Sequence, residues 1–188
     1  MRKVLLAMRR AITTEQRIAA AQAAKQLLVI HSLFHSSQHI ACYVAQQDEF
    51  DCAPLIQEIC RLGKKCYLPV LCPKQSHFLE FAAYRPEDPL RLNRYKILEP
   101  EANDKIATEK LDLVIVPLLA FDERGYRLGM GGGYYDRTFT FKRERKVAEK
   151  PYLLGLGYEA QKVAKVPNDA WDVMLDGVLT EEELRQSF

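Results

Sequence analysis

Residues Val116 to Asp136 read VPLLAFDERGYRLGMGGGYYD, an apolar strand running through a charged turn into Gly129, Gly131, Gly132 and Gly133 and closing on two tyrosines and an aspartate. This is the layout of a phosphate pocket. Glycine has no Cβ, so these four positions let the backbone take φ > 0 and turn successive N–H groups toward one anion, as phosphate-binding nests require. Tyr134 onward reads as a helix whose free N–H groups and positive dipole end point to the same place. Asp122, Arg127 and Asp136 bracket the turn with the charges that Mg-nucleotide chemistry needs: a guanidinium for phosphate oxygens and a carboxylate for a hard cation.

Two familiar phosphate motifs do not fit. A Walker A loop needs Gly-Lys-Ser/Thr after its glycines, and here Tyr134, Tyr135 and Asp136 follow. A Rossmann fingerprint needs its glycines directly after the first strand, but position 134 is tyrosine and the charged segment Asp122 to Arg127 intervenes.

Outward from the loop, helices and strands alternate. Leu111 to Pro117, just upstream, reads as a buried central strand. Near the N-terminus, Thr13 or Thr14 caps a helix expected to run to about Phe34, and a strand from His39 to Ala45 follows. Asp51 opens the next helix with Pro54 in its first turn, Gly63 closes it, and Lys65 to Leu71 is the second strand of a βαβ unit. Phe78 to Tyr84 is a further strand, and Arg85 to Lys110 is a Pro- and charge-rich connection. Tyr152 to Tyr158 and Val173 to Leu179 supply late strands, and Thr180-x-x-Glu183 reads as the capping box of a short terminal helix. This pattern predicts an open three-layer α/β sheet with helices on both faces, forming a single domain over residues 1–188, with ligands bound beyond the strand C-termini.

Composition excludes several classes. Lys+Arg 27 against Asp+Glu 25 leaves a formal net charge of +2, too balanced for the basic face of a nucleic-acid binder, so a small-molecule anion fits better. Near the N-terminus only Val4 to Met8 are apolar together before charge returns, and no run is long enough to span a membrane, so the expected compartment is the cytoplasm. The five cysteines, Cys42, Cys52, Cys60, Cys66 and Cys72, are odd in number and lack a C-x-x-C pair. They are expected to be reduced and mostly buried. His31, His35 and His39 recur every fourth residue, but Ser36-Ser37 ends the helix and a strand begins at His39, so they are not read as metal ligands.

Phe121-Asp122, Gly125, Arg127-Leu128-Gly129 and Gly131-Gly132-Gly133-Tyr134-Tyr135-Asp136 together resemble the signature of the 5-formyltetrahydrofolate cyclo-ligases, also called methenyltetrahydrofolate synthetases. Gln47-Asp48-Glu49, Gly63-Lys64-Lys65 before Leu68-Pro69, Ile97-Leu98-Glu99-Pro100 and Leu175-Asp176-Gly177-Val178 extend the resemblance over most of the chain. It implies a Rossmann-like fold related to ribose-5-phosphate isomerase and CoA-transferases. It also implies a monomer that closes 5-formyltetrahydrofolate to 5,10-methenyltetrahydrofolate with ATP and Mg²⁺, releasing ADP and phosphate.

The resemblance also implies roles. Arg127, Leu128, Gly129, Met130, Gly131, Gly132, Gly133, Tyr134 and Tyr135 match the ATP segment, with Arg127 and Tyr134 as the catalytic residues. Asp136 and Asp176 match metal-associated aspartates. Val44, Glu49 and Tyr95 fall at folate-side positions, and Met130 to Tyr134 would touch both reactants, reducing the entropic cost of their meeting. The family carries an N-terminal lysine four residues before an arginine. Aligning Arg10-Ala11-Ile12-Thr13 puts Arg2 at the arginine and the lysine position before Met1, so either Lys3 substitutes for that lysine in binding ATP or the true start lies upstream. Met130 and Gly132 stand where some relatives carry basic residues, leaving more of the phosphate charge to Arg127. A phosphosugar isomerase or acyl-CoA enzyme of related fold, or a non-catalytic nucleotide or folate binder, would use the same loop without hydrolysing ATP.

Overall fold

A computed structural model of the chain describes residues 1–101, 104–144 and 150–186. Helix α1 (Arg2–Ala11) opens it and α2 (Thr14–Val29) follows. Thr13 caps α2 reciprocally: its hydroxyl accepts from Gln16 N at 3.2 Å while Gln16 Oε1 accepts from Thr13 N at 2.9 Å. The single helix expected to reach Phe34 is broken. The ring of His31 accepts from Leu33 N at 3.1 Å and starts a separate helix, α3 (Ser32–Ser36). Strand β1 (His39–Ala41) is shorter than expected, and α4 (Ala53–Arg61) begins where Asp51 Oδ1 accepts from Ala53 N at 2.9 Å. Gly63, at φ 72°, turns the chain into β2 (Lys65–Leu71).

The remaining strands are β3 (Leu79–Ala83), β4 (Leu90–Leu92), β5 (Leu98–Pro100), β6 (Lys105–Ile106), β7 (Leu113–Pro117), β8 (Ala120–Phe121), β9 (Arg127–Leu128), β10 (Tyr152–Leu156), β11 (Gly177–Leu179) and β12 (Leu184–Gln186). The stretch read as an irregular connection thus contains a β4–β5 hairpin and the edge strand β6. The terminal capping box is a correction. Thr180 Oγ1 does accept from Glu182 N and Glu183 N, each at 3.3 Å, but the turn it makes leads into β12, which pairs antiparallel with β11. The same hydroxyl-to-amide pattern serves a helix cap or a tight turn, and the open edge of β11 decides between them.

One sheet of eight strands runs in the order β12-β11-β10-β7-β1-β2-β3-β6. Its middle, from β11 to β2, is parallel, and β12 and β3 cap it antiparallel. Strand β7 is buried on both faces. Leu113 and Ile115 pack with Leu28, Phe34, Leu55 and Ile59 of α2, α3 and α4, while Val114 and Val116 pack on the other side with Phe81, Phe121 and Phe139. Helix α5 (Tyr134–Thr138) and a 3₁₀ turn, Thr140–Glu144, flank that second face.

Connections run outward in opposite directions from the adjacent pair β1 and β7, toward β2 on one side and toward β10 and β11 on the other. A parallel sheet opens a crevice at such a reversal, beyond its strand C-termini. The glycine loop follows β7 and the Gln46 to Glu49 turn follows β1, so both emerge there. Among the described residues, no helix is long and apolar enough to cross a membrane.

Candidate active site

The approach to the glycine loop is held by Asp122, whose carboxylate is fully buried and accepts from the backbone N–H groups of Arg124 (3.0 Å), Tyr126 (3.2 Å) and Val166 (2.8 Å). The Arg124 guanidinium adds a bond of 2.6 Å. Burial alone raises a carboxyl pKa, but these donors outweigh it and hold Asp122 below the usual aspartate range. Asp122 therefore ties the β8–β9 hairpin from within, and the expectation that its charge faces a nucleotide is corrected.

Arg127 forms a clamp. Its Nη2 donates to Asp136 Oδ1 at 2.7 Å and its Nη1 to the Val173 carbonyl at 2.6 Å, while Val173 N donates to the same Asp136 oxygen at 3.1 Å. The Arg127 side chain is 6% exposed and that of Asp136 25%. The loop between them bends at Gly131 (φ 99°) and Gly133 (φ 65°), whereas Gly129 and Gly132 do not take positive φ. Gly132 is required by contact instead, since a Cβ there would sit 2.9 Å from Tyr134 Cδ2. Helix α5 has only 5 residues, so its dipole is far shorter than the expected helix would supply.

Cations compensate. Arg2 Nε donates to the Gly129 carbonyl at 3.1 Å, with its guanidinium beside Gly131, and Arg137 Nη1 donates to the Gly132 carbonyl at 2.8 Å. Lys3 is exposed on α1 and does not line the cleft.

On the side toward β2 and β3 the loop meets an aromatic group. The Tyr134 and Tyr95 hydroxyls share a hydrogen bond of 2.9 Å, Arg94 lies over the Tyr95 ring at 5.0 Å, and the His77 ring is 5.3 Å from that of Tyr134. Burial opposes ionisation of Tyr134, but the hydrogen bonds of Tyr95 and Arg94 and the nearby Arg94 and Arg137 charges outweigh it and lower its pKa. At the end of β1, Glu49 Oε2 accepts from Gln46 N at 2.8 Å. Burial raises the Glu49 pKa, even against that bond and the charge of Arg9. Arg9 itself is buried, donating to Asp48 Oδ2 at 3.0 Å and to the Leu118 carbonyl at 3.3 Å. Val44 packs on the core beneath rather than lining the cleft.

The glycine loop, Arg2, Glu49, Tyr95, Arg127, Tyr134 and Asp136 line a cleft of about 1130 Å³. Asp176 does not join it. That carboxylate is buried, accepting from Lys142 Nζ at 2.6 Å and Leu153 N at 2.7 Å. Among the described residues, no three His, Cys, Asp or Glu side chains converge to hold a metal ion.

Residues 1–181 match the model of the 5-formyltetrahydrofolate cyclo-ligase family. The chain belongs to that family. The cyclo-ligase of Escherichia coli K12 is 38% identical over 174 residues, covering 92% of this chain and 93% of that one. The mouse cyclo-ligase is 29% identical over 180 residues, covering 92% and 88% respectively. Among solved structures, the 5,10-methenyltetrahydrofolate synthetase of Aquifex aeolicus superposes with TM-score 0.81 at 30% identity, over 98% of this chain and 90% of its own. The Mycoplasma pneumoniae synthetase, at 23% identity and TM-score 0.73 over 96% of each chain, shares the fold.

For this cyclo-ligase-family chain, the cleft gathers Arg2, the glycine loop, Glu49, Tyr95, Arg127, Tyr134 and Asp136 from the residues that the sequence singles out. It adds Arg9, His77, Arg137 and Trp171, which motif reading passes over. Arg137 adjoins the motif and was open to a helix-position argument. Arg9 and His77 reach the site only through tertiary contacts, which no local pattern announces.

Proposed function

We propose that this chain closes 5-formyltetrahydrofolate to 5,10-methenyltetrahydrofolate, with ATP as phosphoryl donor and Mg²⁺ as its counter-ion, releasing ADP and phosphate. The carrying observation is the loop of Gly131 and Gly133, flanked by Arg2 and Arg137, over a cleft of about 1130 Å³. Single-ligand pockets run to about 1,000 Å³. The cleft lies at the upper end of that range, consistent with a reaction that brings two reactants together.

Transfer of the γ-phosphoryl group to the formyl oxygen converts a poor leaving group into a good one. N10 then attacks the formyl carbon, and phosphate departs carrying that oxygen. Loop N–H groups, Arg2 and Arg137 neutralise the charge that develops on the transferring group. Arg127 works from behind the loop, positioning Asp136 and the backbone of Val173. Tyr134, with its lowered pKa, and Tyr95 bound the folate end together with Glu49.

Asp136 fits a Mg²⁺ role as one carboxylate beside nucleotide phosphates, since it lines the cleft and is partly exposed. Bound there, the ion would screen the phosphate charge. Asp176 does not fit, being committed to Lys142 and Leu153 N away from the cleft. We place the protein in the cytoplasm, where its five unpaired thiols persist. The test mixes protein, 5-formyltetrahydrofolate and Mg-ATP and follows the ultraviolet band of the methenyl product, omitting each component in turn. Product is expected only with all of them present, and product without ATP would overturn the reading.

A further inference from the structure

Trp171 is the only tryptophan in the chain. It lines the cleft, yet it is 61% exposed. An exposed indole on a floppy loop needs no explanation, but this one is on a clamped segment. Arg143 Nη1 donates to the Ala170 carbonyl at 3.5 Å, just before the tryptophan. Just after it, Val173 is held on both sides of its peptide by Arg127 and Asp136. Asp169 and Asp172 close the turn on each other, with Asp169 N donating to Asp172 Oδ2 at 2.8 Å and Asp172 N to the Asp169 carbonyl at 3.1 Å. The backbone thus presents a large apolar ring to solvent in a fixed place, next to the residues that hold the glycine loop.

Its location assigns the ligand. Strand order puts the segment before β11 on one side of the glycine loop, and Tyr95, Arg94 and His77, from the β2 and β3 side, on the other. A nucleotide with its phosphates on the loop must extend its base toward one of these two ends. The Tyr95 end carries the Arg94 guanidinium, which suits the carboxylates of a folate tail. The Trp171 end carries Asp169 and Asp172 alongside Arg143, and its two carboxylates offer acceptors to the amine and hydroxyl donors of a nucleoside. We propose that Trp171 is the platform on which the adenine of ATP stacks, making it a nucleotide-specificity residue of the ATP-dependent reading above, on which this inference rests.

Stacking of a base on an aromatic ring is worth enough that alanine in its place weakens binding by roughly 5- to 150-fold. Because Trp171 is the sole tryptophan, its emission reports the contact directly in the intact protein. ATP and ADP should quench it, while inorganic tripolyphosphate, which occupies the loop without a base, should not. By calorimetry, Trp171→Ala should weaken ATP by that factor and leave tripolyphosphate affinity within about twofold, and Trp171→Phe should recover most of the loss. Equal emission changes with tripolyphosphate and ATP would overturn the stacking, as would unchanged ATP affinity in a folded Trp171→Ala variant. If the wild-type protein binds no ATP at all, the ATP-dependent reading falls and the stacking falls with it. ATP binding that ignores the tryptophan sinks the stacking alone.

Discussion

Replacing Gly131 with alanine isolates the backbone geometry of the phosphate loop. At φ 99° a side chain is strained whatever space surrounds it, and the nearest atoms a new Cβ would meet belong to the Arg2 guanidinium, at 3.9 Å. That is ordinary contact, so the penalty is conformational, about 1–3 kcal/mol. Gly131 is exposed, and the loop can shed this strain by moving instead of unfolding the domain. Global stability should therefore fall by less than about 1 kcal/mol, a shift in Tm of at most roughly 4 °C at this chain length. The strain appears in binding instead. If the nucleotide-competent loop is depopulated by about 1–3 kcal/mol, apparent ATP affinity drops roughly 5- to 150-fold. Gly129→Ala is the control, since Gly129 has no positive φ and a Cβ there meets nothing within 4 Å. Titration calorimetry with ATP, alongside urea unfolding, reads both quantities. A folded Gly131→Ala variant that binds ATP like the parent would refute the loop geometry argument, as would a Gly129→Ala variant weakened to the same degree.

Asp136→Asn leaves the Arg127 guanidinium, only 6% exposed, without its anion, though Val173 O still accepts from it. Losing one partner of a buried pair costs about 3–5 kcal/mol, and the partial exposure of Asp136 lowers the expectation to roughly 1–3 kcal/mol, measured by urea unfolding. Turnover should fall and recover in part at raised Mg²⁺; no response across a Mg²⁺ titration would move the metal role away from Asp136. Asp122, whose pKa is lowered in the fold, contributes stability that is complete above the ordinary aspartate value of about 3.9 and is lost as pH falls through its lower folded value. The stability gap between the parent and Asp122→Asn should therefore shrink below about pH 4, and a gap constant with pH would contradict the assignment.

The sequence was most legible where local chemistry and tertiary setting agree. Pro54 and Gly63 mark α4 because a helix tolerates proline in its first turn and glycine just past its end. β7 announces itself as an apolar run because a central parallel strand is buried on both faces. Helix α1 gave little signal, since Leu5 is its main apolar anchor and its other buried residue, Arg9, is fixed by Asp48 and Leu118 from distant segments. In the glycine loop the residue types were readable but the division of labour was not. Arg127 carries the expected charge, yet the fold turns it onto Asp136 and Val173, and the cations bonded to the glycine-loop carbonyls are Arg2 and Arg137. Asp176 sits in a recognisable motif, but its neighbour across space is Lys142, and that pairing comes from the packing of the 3₁₀ turn against the sheet.

In the proposed mechanism the formyl oxygen is phosphorylated and leaves with phosphate, on the glycine loop that holds the transferring group. Substrate labelled with heavy oxygen at the formyl group tests this most directly, with mass spectrometry of the phosphate released during ATP-dependent turnover. One heavy oxygen is expected in each phosphate formed with the methenyl product. Label recovered in water, with unlabelled phosphate, would contradict it.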